Sequence, residues 1–299
     1  SKFETAKPPQ LLEETDTTLL YQLKNGLRLR IHFTLELPIT LFNTSCSQEF
    51  KEAFESLPSK KGASTDSPAA PDAFLFSEKG LPYIHPAKRE KQAQLADAIN
   101  SQTLIEVKDI KGLIHCHSNW SDGSNELELM AQECIKRNWE FMVISDHSAS
   151  AFYANGLTAE RVAAQHQQID SLNARYGPFK IFKSIESDIL TDGSLDYSPS
   201  ILSTFDLVIA SIHSNLRMPK EKATERLIRA IENPYTTLLG HPTGRLLLSR
   251  EGYPLDFEKV IDACAANGVA IEINAHPRRL DLDWSWVDSV SYTHLRAHE

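Results

Sequence analysis

The stretch that decides the fold runs from residue 112 to residue 145. An apolar run, Gly112-Leu113-Ile114-His115, is followed by a helical stretch, Asn125–Arg137, and then by a second apolar run, Phe141-Met142-Val143-Ile144-Ser145. The alternation continues, with apolar runs at 179–185, 207–212, 237–239 and 269–273 and helical spacing at 159–175, 221–232 and 256–266. Alternating strand and helix units favour parallel strands joined by crossover helices. We therefore predict an α/β barrel or open sheet from residue 110 onward.

A different pattern precedes this region. Leu27, Leu29 and Ile31 alternate with polar residues at a period of two, which predicts a half-buried strand. Residues 48–57 predict a short helix with apolar residues on one face. Residues 59–71 are small and polar with several prolines, a composition typical of a flexible linker or long surface loop. Residues 73–100 predict a helix-rich connector.

The composition is that of a globular protein with a hydrophobic core. Of its 299 residues, 41% are hydrophobic and 24% are charged, which excludes wholesale disorder and collagen-like or coiled-coil chains. No run approaches the roughly 20 apolar residues that a membrane-spanning helix needs. The four cysteines are far apart and form no C-x-x-C motif, which favours a reducing compartment such as the cytoplasm. The net charge of −9 argues against a general nucleic-acid coat, but not against an enzyme that binds phosphate through metal ions.

Potential metal ligands follow the predicted strands. They lie at or just past the C-terminal end of each apolar run: His115, His117 and Asp122 after the first, Asp146 and His147 after the second, Glu186 at the third, His213 at the fourth and His241 at the fifth. In a parallel barrel or sheet these ends meet on one face, where such folds build their active sites. Any one of these histidines is more often a structural residue. Their placement on several separate strands favours a shared metal site.

Imidazole and carboxylate side chains are ligands of first-row metals. His115 and His117 are two residues apart, so both point the same way from a strand and can reach one ion or two adjacent ions. Two ions about 3.5–4 Å apart form a clamp for in-line attack on a phosphate ester. We predict two further roles in the reaction. Asp146 would orient an imidazole, and Arg245 would bind a phosphate oxygen unless it is an ion-pair partner at the start of a helix. We interpret His166 and His32 as structural residues.

Three segments resemble one family. They are His115–Gly123, Ser145–Ser148 and Gly240–Arg245, and they are similar to the polymerase-and-histidinol-phosphatase (PHP) domain. The runs Glu272–Ala275 and Arg279–Trp284 are similar to the version of this domain found in bacterial family X DNA polymerases. Gly80–Glu90 resembles the segment that joins the polymerase part of those enzymes to the PHP domain, and residues 20–58 resemble the end of the palm and the thumb.

The resemblance implies a distorted (βα)7 TIM-like barrel with a two- or three-metal cluster of Mn²⁺ or Zn²⁺. It also implies a 3′–5′ exonuclease that processes gapped or single-stranded DNA 3′ ends in DNA repair, in the cytoplasm and associated with the nucleoid. The implied metal ligands are His115, His117, Asp122, His147, Glu186, His213 and His241. The implied domains are a palm/thumb remnant at 1–58, a linker and connector at 59–109, the PHP domain at 110–288 and a tail at 289–299 that matches nothing in the family. No protein partner and no membrane contact are implied.

The sequence departs from the family in three places, the third being the tail at 289–299. Asn25–Thr34 contains no carboxylate, and Arg28 and Arg30 stand where a catalytic palm aspartate is expected, so we predict that the polymerase site is inactive. The Asp-x-His pair that normally ends the PHP domain is absent, so the barrel is predicted to lack its last strand. His294 and His298 lie in the unmatched tail and are excluded from the site.

Two other functions remain open from the sequence. A small-molecule phosphatase of the histidinol-phosphate kind would carry a similar cluster, although residues 20–58 and the connector would then have no role. A non-catalytic DNA-tethering module would bind DNA without cleaving it, which the negative charge and the seven candidate ligands disfavour.

Overall fold

The computed structural model describes residues 9–24, 26–59, 70–91, 95 and 104–295, with no side chains beyond residue 291. The chain divides into two units, residues 1–106 and residues 107–299. Most of the linker predicted at 59–71, most of residues 90–100 of the predicted connector, and His294 and His298 lie outside this description.

Among its described residues, the first unit contains a small antiparallel sheet and several short helices. The strands are β1 (Gln10–Glu14), β2 (Thr18–Gln22) and β3 (Arg28–His32), and the helices are α1 (Leu37–Thr44), α2 (Gln48–Glu55) and α3 (Ala73–Glu78). The predicted strand and helix are thus confirmed as β3 and α2. The strand is not half-buried, however, because all five residues of β3 are exposed. The alternating pattern identified the strand but not how much of it is covered.

Phenylalanines form the core of this unit. Phe42, Phe50, Phe54 and Phe76 are at most 4% exposed and belong to a single cluster. The guanidinium of Arg89, at the end of the connector motif, stacks 4.8 Å from the ring of Phe76 and forms a fully buried ion pair with Asp72 at 2.7 Å. The connector motif is therefore part of the core of the first unit.

The second unit is an α/β half-barrel. Its six strands are β4 (Gly112–Cys116), β5 (Phe141–Ile144), β6 (Lys180–Asp188), β7 (Leu207–Ser211), β8 (Leu238–Leu239) and β9 (Ala270–Ile271), and each pairs in parallel with the next along the chain. The helices are α4 (Leu127–Lys136), α5 (Ala159–Tyr176), α6 (Pro199–Leu202), α7 (Lys220–Ile231), α8 (Phe257–Asn267) and α9 (Val287–Leu295). The curled parallel sheet confirms the predicted distorted TIM-like fold.

Local sequence signals set the helix ends. Thr158 and Asp256 accept hydrogen bonds from the backbone N–H groups of Arg161 and Lys259, and so cap the N-termini of α5 and α8. Helix α8 stops at Gly268, whose φ of 67° is the left-handed conformation that glycine adopts at little cost. The helices bury apolar side chains in two clusters of the second unit, one of which includes Val208, Leu227 and Val260.

No helix in the described part of the chain has the length and apolarity needed to cross a membrane.

Candidate metal centre

The C-terminal ends of five neighbouring strands converge on one cavity. Its volume is about 840 Å³, and its lining includes all seven side chains predicted as metal ligands: His115, His117, Asp122, His147, Glu186, His213 and His241. They are brought together because β4 to β8 run in parallel and the ligands lie at or beyond the same ends of these strands. Residues more than a hundred positions apart in the sequence thus share one site.

Glu186 is the centre of the cluster. Its side chain is 1% exposed and lies near the end of β6. Its Oε1 atom faces three imidazoles, with distances to Nε2 of 2.7 Å for His241, 3.0 Å for His115 and 3.1 Å for His213. Its Oε2 atom faces two others, at 3.2 Å from Nδ1 of His147 and 3.3 Å from Nε2 of His117. Three histidines therefore face one oxygen of this carboxylate and two histidines face the other.

This division produces two groups that could each hold a metal ion. One comprises His115, Glu186 and His241, and the other comprises His117, His147 and Glu186. Within each group the ligand atoms lie within 4.8 Å of one another. Nitrogen and oxygen ligands of this kind suit Zn²⁺ and Mn²⁺. A second observation agrees with bound ions. Nδ1 of His147 is buried and has no hydrogen-bond partner among the described residues, although it lies 3.2 Å from Oε2 of Glu186, so it is left for a metal ion.

Three carboxylates orient the imidazoles from behind. Glu272 Oε1 lies 2.6 Å from Nδ1 of His115, and Asp122 Oδ1 lies 2.9 Å from Nδ1 of His117. Asp188 forms a short contact with Nδ1 of His213. A carboxylate on one ring nitrogen fixes the ring and leaves the other nitrogen for a metal. Asp122 also lies 3.7 Å from Nε2 of His147, so it can serve as a ligand as predicted or as an orienting group.

Sequence reasoning assigned no role to Glu272 or Asp188. A signal was present for both. Asp188 lies two residues after Glu186 on β6 and therefore points to the same face. Glu272 directly follows β9 and so lies at the ligand-bearing edge of the sheet, and its Oε2 also accepts a hydrogen bond of 2.6 Å from the backbone N–H of His241.

The backbone is strained at two of the histidines. His115 has a φ of 57° and His241 a φ of 25°, in a region that residues other than glycine rarely adopt. Such conformations persist only where the surroundings enforce them, and they cluster at functional sites. Here they turn two imidazoles from different strands toward the same oxygen of Glu186.

Asp146 lies beside the cluster, but its carboxylate has no imidazole partner among the described residues. This differs from the prediction that it orients one. Its fully buried carboxylate accepts hydrogen bonds from the backbone N–H and hydroxyl of Ser118, at 2.8 and 2.7 Å, from those of Ser121, at 3.2 and 2.6 Å, and from the side-chain amide of Gln165, at 2.7 Å. Since these serines lie between His117 and Asp122, Asp146 fixes the loop that presents both residues.

Arg245 is also placed differently from its predicted role as a phosphate ligand. Its guanidinium forms an ion pair of 2.7 Å with Asp283 and donates hydrogen bonds to the backbone carbonyls of Arg279, at 2.9 Å, and Leu280. The ion pair agrees with one part of the alternative interpretation, but Arg245 does not lie at the start of a helix. The arginine that lines the cavity is Arg279, which sequence reasoning named only as part of a motif.

The electrostatics of the cluster couple metal binding to protons. Burial disfavours the protonated form of His115, but the charge of Glu186 and hydrogen bonds to Glu186 and Glu272 outweigh it and raise the pKa of His115 to about 10. At His213, burial again disfavours the protonated form, but the charge of Glu186 and hydrogen bonds to Asp188 and Glu186 outweigh it and raise the pKa to about 9. In Glu186 itself, burial opposes ionisation, but the charges of His213 and His115 lower its pKa well below the usual range. Without metal, these two histidines therefore carry protons at neutral pH.

We expect metal binding to release protons and to strengthen as the pH rises. A metal ligand must be deprotonated, and the pKa values of about 10 for His115 and about 9 for His213 mean that an entering ion competes with protons up to about pH 9 to 10. The expected release at pH 7 is on the order of one to two protons per chain. Titration calorimetry with Zn²⁺ in two buffers of different ionisation enthalpy measures it. Equal heats in both buffers, or an affinity that does not change from pH 6 to pH 9, would contradict this account.

Comparisons with known proteins reveal relatives of two kinds. The chain is 44% identical over 208 residues to the DNA polymerase/3′-5′ exonuclease PolX of Bacillus subtilis, a match that covers 70% of this chain and 36% of that protein. It is 38% identical over 99 residues to a probable phosphatase of Caldanaerobacter subterraneus, covering 32% of this chain and 37% of the relative. It is 33% identical over 153 residues to a probable phosphatase of Acetivibrio thermocellus, covering 49% and 57%. No family model matches the chain. The chain thus spans little more than a third of the length of the PolX relative.

Proposed function

Since this chain is related to the DNA polymerase/3′-5′ exonuclease PolX of Bacillus subtilis and to probable phosphatases, we propose that it is a metal-dependent phosphoesterase that removes nucleotides from DNA 3′ ends. The observation that carries the proposal is the shared carboxylate of Glu186, which faces five histidines and belongs to both candidate metal groups. Two ions held together are suited to phosphate-ester hydrolysis.

The residues of the chain have defined parts in this proposal. His115 and His241 would hold one ion with Glu186, and His117 and His147 would hold another. When bound, the ions supply positive charge for the phosphoryl oxygens and lower the pKa of water. His213 faces Oε1 of Glu186 and would bind an ion on the Oε1 side of that carboxylate. Glu272, Asp122 and Asp188 hold the imidazoles in orientation.

The double variant His115→Ala, His117→Ala tests this function. It removes one ligand from each candidate group, and we expect Mn²⁺-stimulated release of 3′ nucleotides from a 5′-labelled oligonucleotide to fall by at least about 10³-fold. His32→Ala, on exposed strand β3 of the first unit, is the control and is expected to retain full activity. An unchanged rate in the double variant would exclude the cluster as the active site.

A phosphatase acting on small molecules is the second candidate, favoured by the probable phosphatases among the relatives. Its substrate would be a phosphate monoester such as histidinol phosphate. Turnover of histidinol phosphate and of single-stranded DNA by the same preparation separates the two functions, because the proposal expects DNA to have the higher kcat/KM.

The remaining functional assignments are also proposals. We place the ligands on Mn²⁺ or Zn²⁺, the substrate at gapped or single-stranded 3′ ends in DNA repair, and the protein in the cytoplasm in association with the nucleoid. The four unpaired cysteines support a reducing compartment. The absence of a carboxylate in Asn25–Thr34 supports a chain without polymerase activity of its own.

A further inference from the structure

Arg279 stands out among the groups that face the cavity. It is the one arginine or lysine among the described residues of the lining, which otherwise present histidines, carboxylates, one tyrosine, an asparagine and apolar side chains. Its Nη1 atom is buried and has no hydrogen-bond partner in the described part of the chain. Buried donors in proteins are nearly always paired, so an unpaired guanidinium nitrogen needs an explanation.

Arg279 lines the same cavity as His241, a member of one candidate metal group. Arg279 thus lies near one of the two candidate metal groups without being neutralised by the carboxylates of that group, which contact histidines instead. A cation in this position is available to an anion that approaches the cluster.

The loop that carries Arg279 is fixed by contacts at both ends. The backbone N–H of Asn274 donates to the carbonyl of Asp281 at 2.6 Å, and that of Leu282 donates to the carbonyl of Glu272 at 3.0 Å. Arg245 donates to the carbonyl of Arg279 itself, at 2.9 Å, and pairs with Asp283. Arg245 therefore acts on the site through the loop, as a positioning residue for Arg279.

We propose that Arg279 binds an oxygen of the phosphoryl group that occupies the metal centre. The proposal rests on the proposed function and adds the group that recognises the phosphate from the protein side. A guanidinium presents planar donors that match phosphate oxygens. The chemistry recognised is that of a phosphoryl group, which a nucleotide at a DNA 3′ end or a free phosphate can supply.

The test is binding of two probes, thymidine 5′-monophosphate and inorganic phosphate, to the full chain loaded with Zn²⁺, measured by titration calorimetry. Arg279→Gln is expected to raise the Kd of both probes about tenfold or more, and Arg279→Lys to raise it less, because lysine keeps the charge but loses the planar donors. Arg278→Gln, a change at an exposed neighbour on the same loop, is the matched control and is expected to leave Kd unchanged. Metal content and thermal unfolding, measured for each variant, identify one that has lost its ions or its fold.

The outcomes separate the two proposals. Equal affinities for wild type and Arg279→Gln at equal metal content would overturn the role of Arg279, as would failure of the wild type to bind either probe at millimolar concentration. Weaker binding by Arg279→Gln alone supports it. If Arg279→Gln binds the probes more weakly but the wild-type protein cleaves no DNA, the assignment of DNA as the substrate is wrong and the phosphate site is supported. A larger loss for the nucleotide than for phosphate identifies a nucleotide as the source of the phosphoryl group.

Discussion

Replacing Glu186 by glutamine is expected to lower the rate of nucleotide release from DNA 3′ ends by at least about 10³-fold, equivalent to about 4 kcal/mol. The amide keeps the size of the side chain but removes the negative charge that both candidate metal groups share. It also places a donor NH₂ group at the position of one carboxylate oxygen. Imidazole nitrogens lie 2.7 to 3.1 Å from Oε1 and 3.2 to 3.3 Å from Oε2, so the NH₂ group meets imidazoles at either position. Both ions should therefore bind more weakly.

The control is Glu140→Gln. Glu140 has a 65% exposed side chain that pairs with Lys111 at 3.2 Å, so the change removes the same charge from the surface and should leave activity intact. Activity is compared per folded chain, by the same labelled-oligonucleotide assay and with thermal unfolding of each variant. A Glu186→Gln chain that keeps more than about a tenth of wild-type activity would contradict the assignment of Glu186 as a shared ligand.

The substitution Asp146→Ala is expected to destabilise the protein by about 3–5 kcal/mol. The carboxylate is fully buried and accepts five hydrogen bonds from Ser118, Ser121 and Gln165. Truncation leaves those donors without their acceptor and releases the loop that carries His117 and Asp122. Chemical denaturation of the metal-free protein measures the change in the free energy of unfolding.

A matched control is Asp170→Ala. Asp170 is likewise an aspartate with a polar partner, since it forms an ion pair of 2.7 Å with Lys183, but its side chain is 64% exposed, and exposed pairs contribute about 0–1 kcal/mol. The comparison isolates burial from the loss of a carboxylate as such. If the two substitutions cost the same, Asp146 does not have the structural role that its contacts indicate.

Much of the second unit could be predicted because its signals are local and repeated. Each strand is a short apolar run and each long helix has apolar residues at helical spacing, so the order of elements follows from the sequence. The placement of the candidate metal ligands followed from one further rule, that parallel strands present their C-terminal ends on one face. The rule therefore placed His115 and His241 in one site, although they are 126 positions apart in the sequence.

The errors concern contacts that no short pattern encodes. Asp146 directly precedes His147 in the sequence, which suggested an imidazole as its partner, but adjacent residues at the end of a strand point to opposite faces. Its carboxylate therefore meets Ser118, Ser121 and Gln165. Arg245 follows His241 closely, yet its guanidinium pairs with Asp283 across a loop that only the folded chain brings near.

The most direct test of the central claim is an anomalous difference map from crystals of the full chain grown with Zn²⁺. We predict two peaks on either side of Glu186, one at ligand distance from His115 and His241 and one at ligand distance from His117 and His147, where Zn–N distances are about 2.0–2.1 Å. A map with no peak at Glu186 in protein that contains zinc, or with its peaks at residues outside this cluster, would contradict the claim.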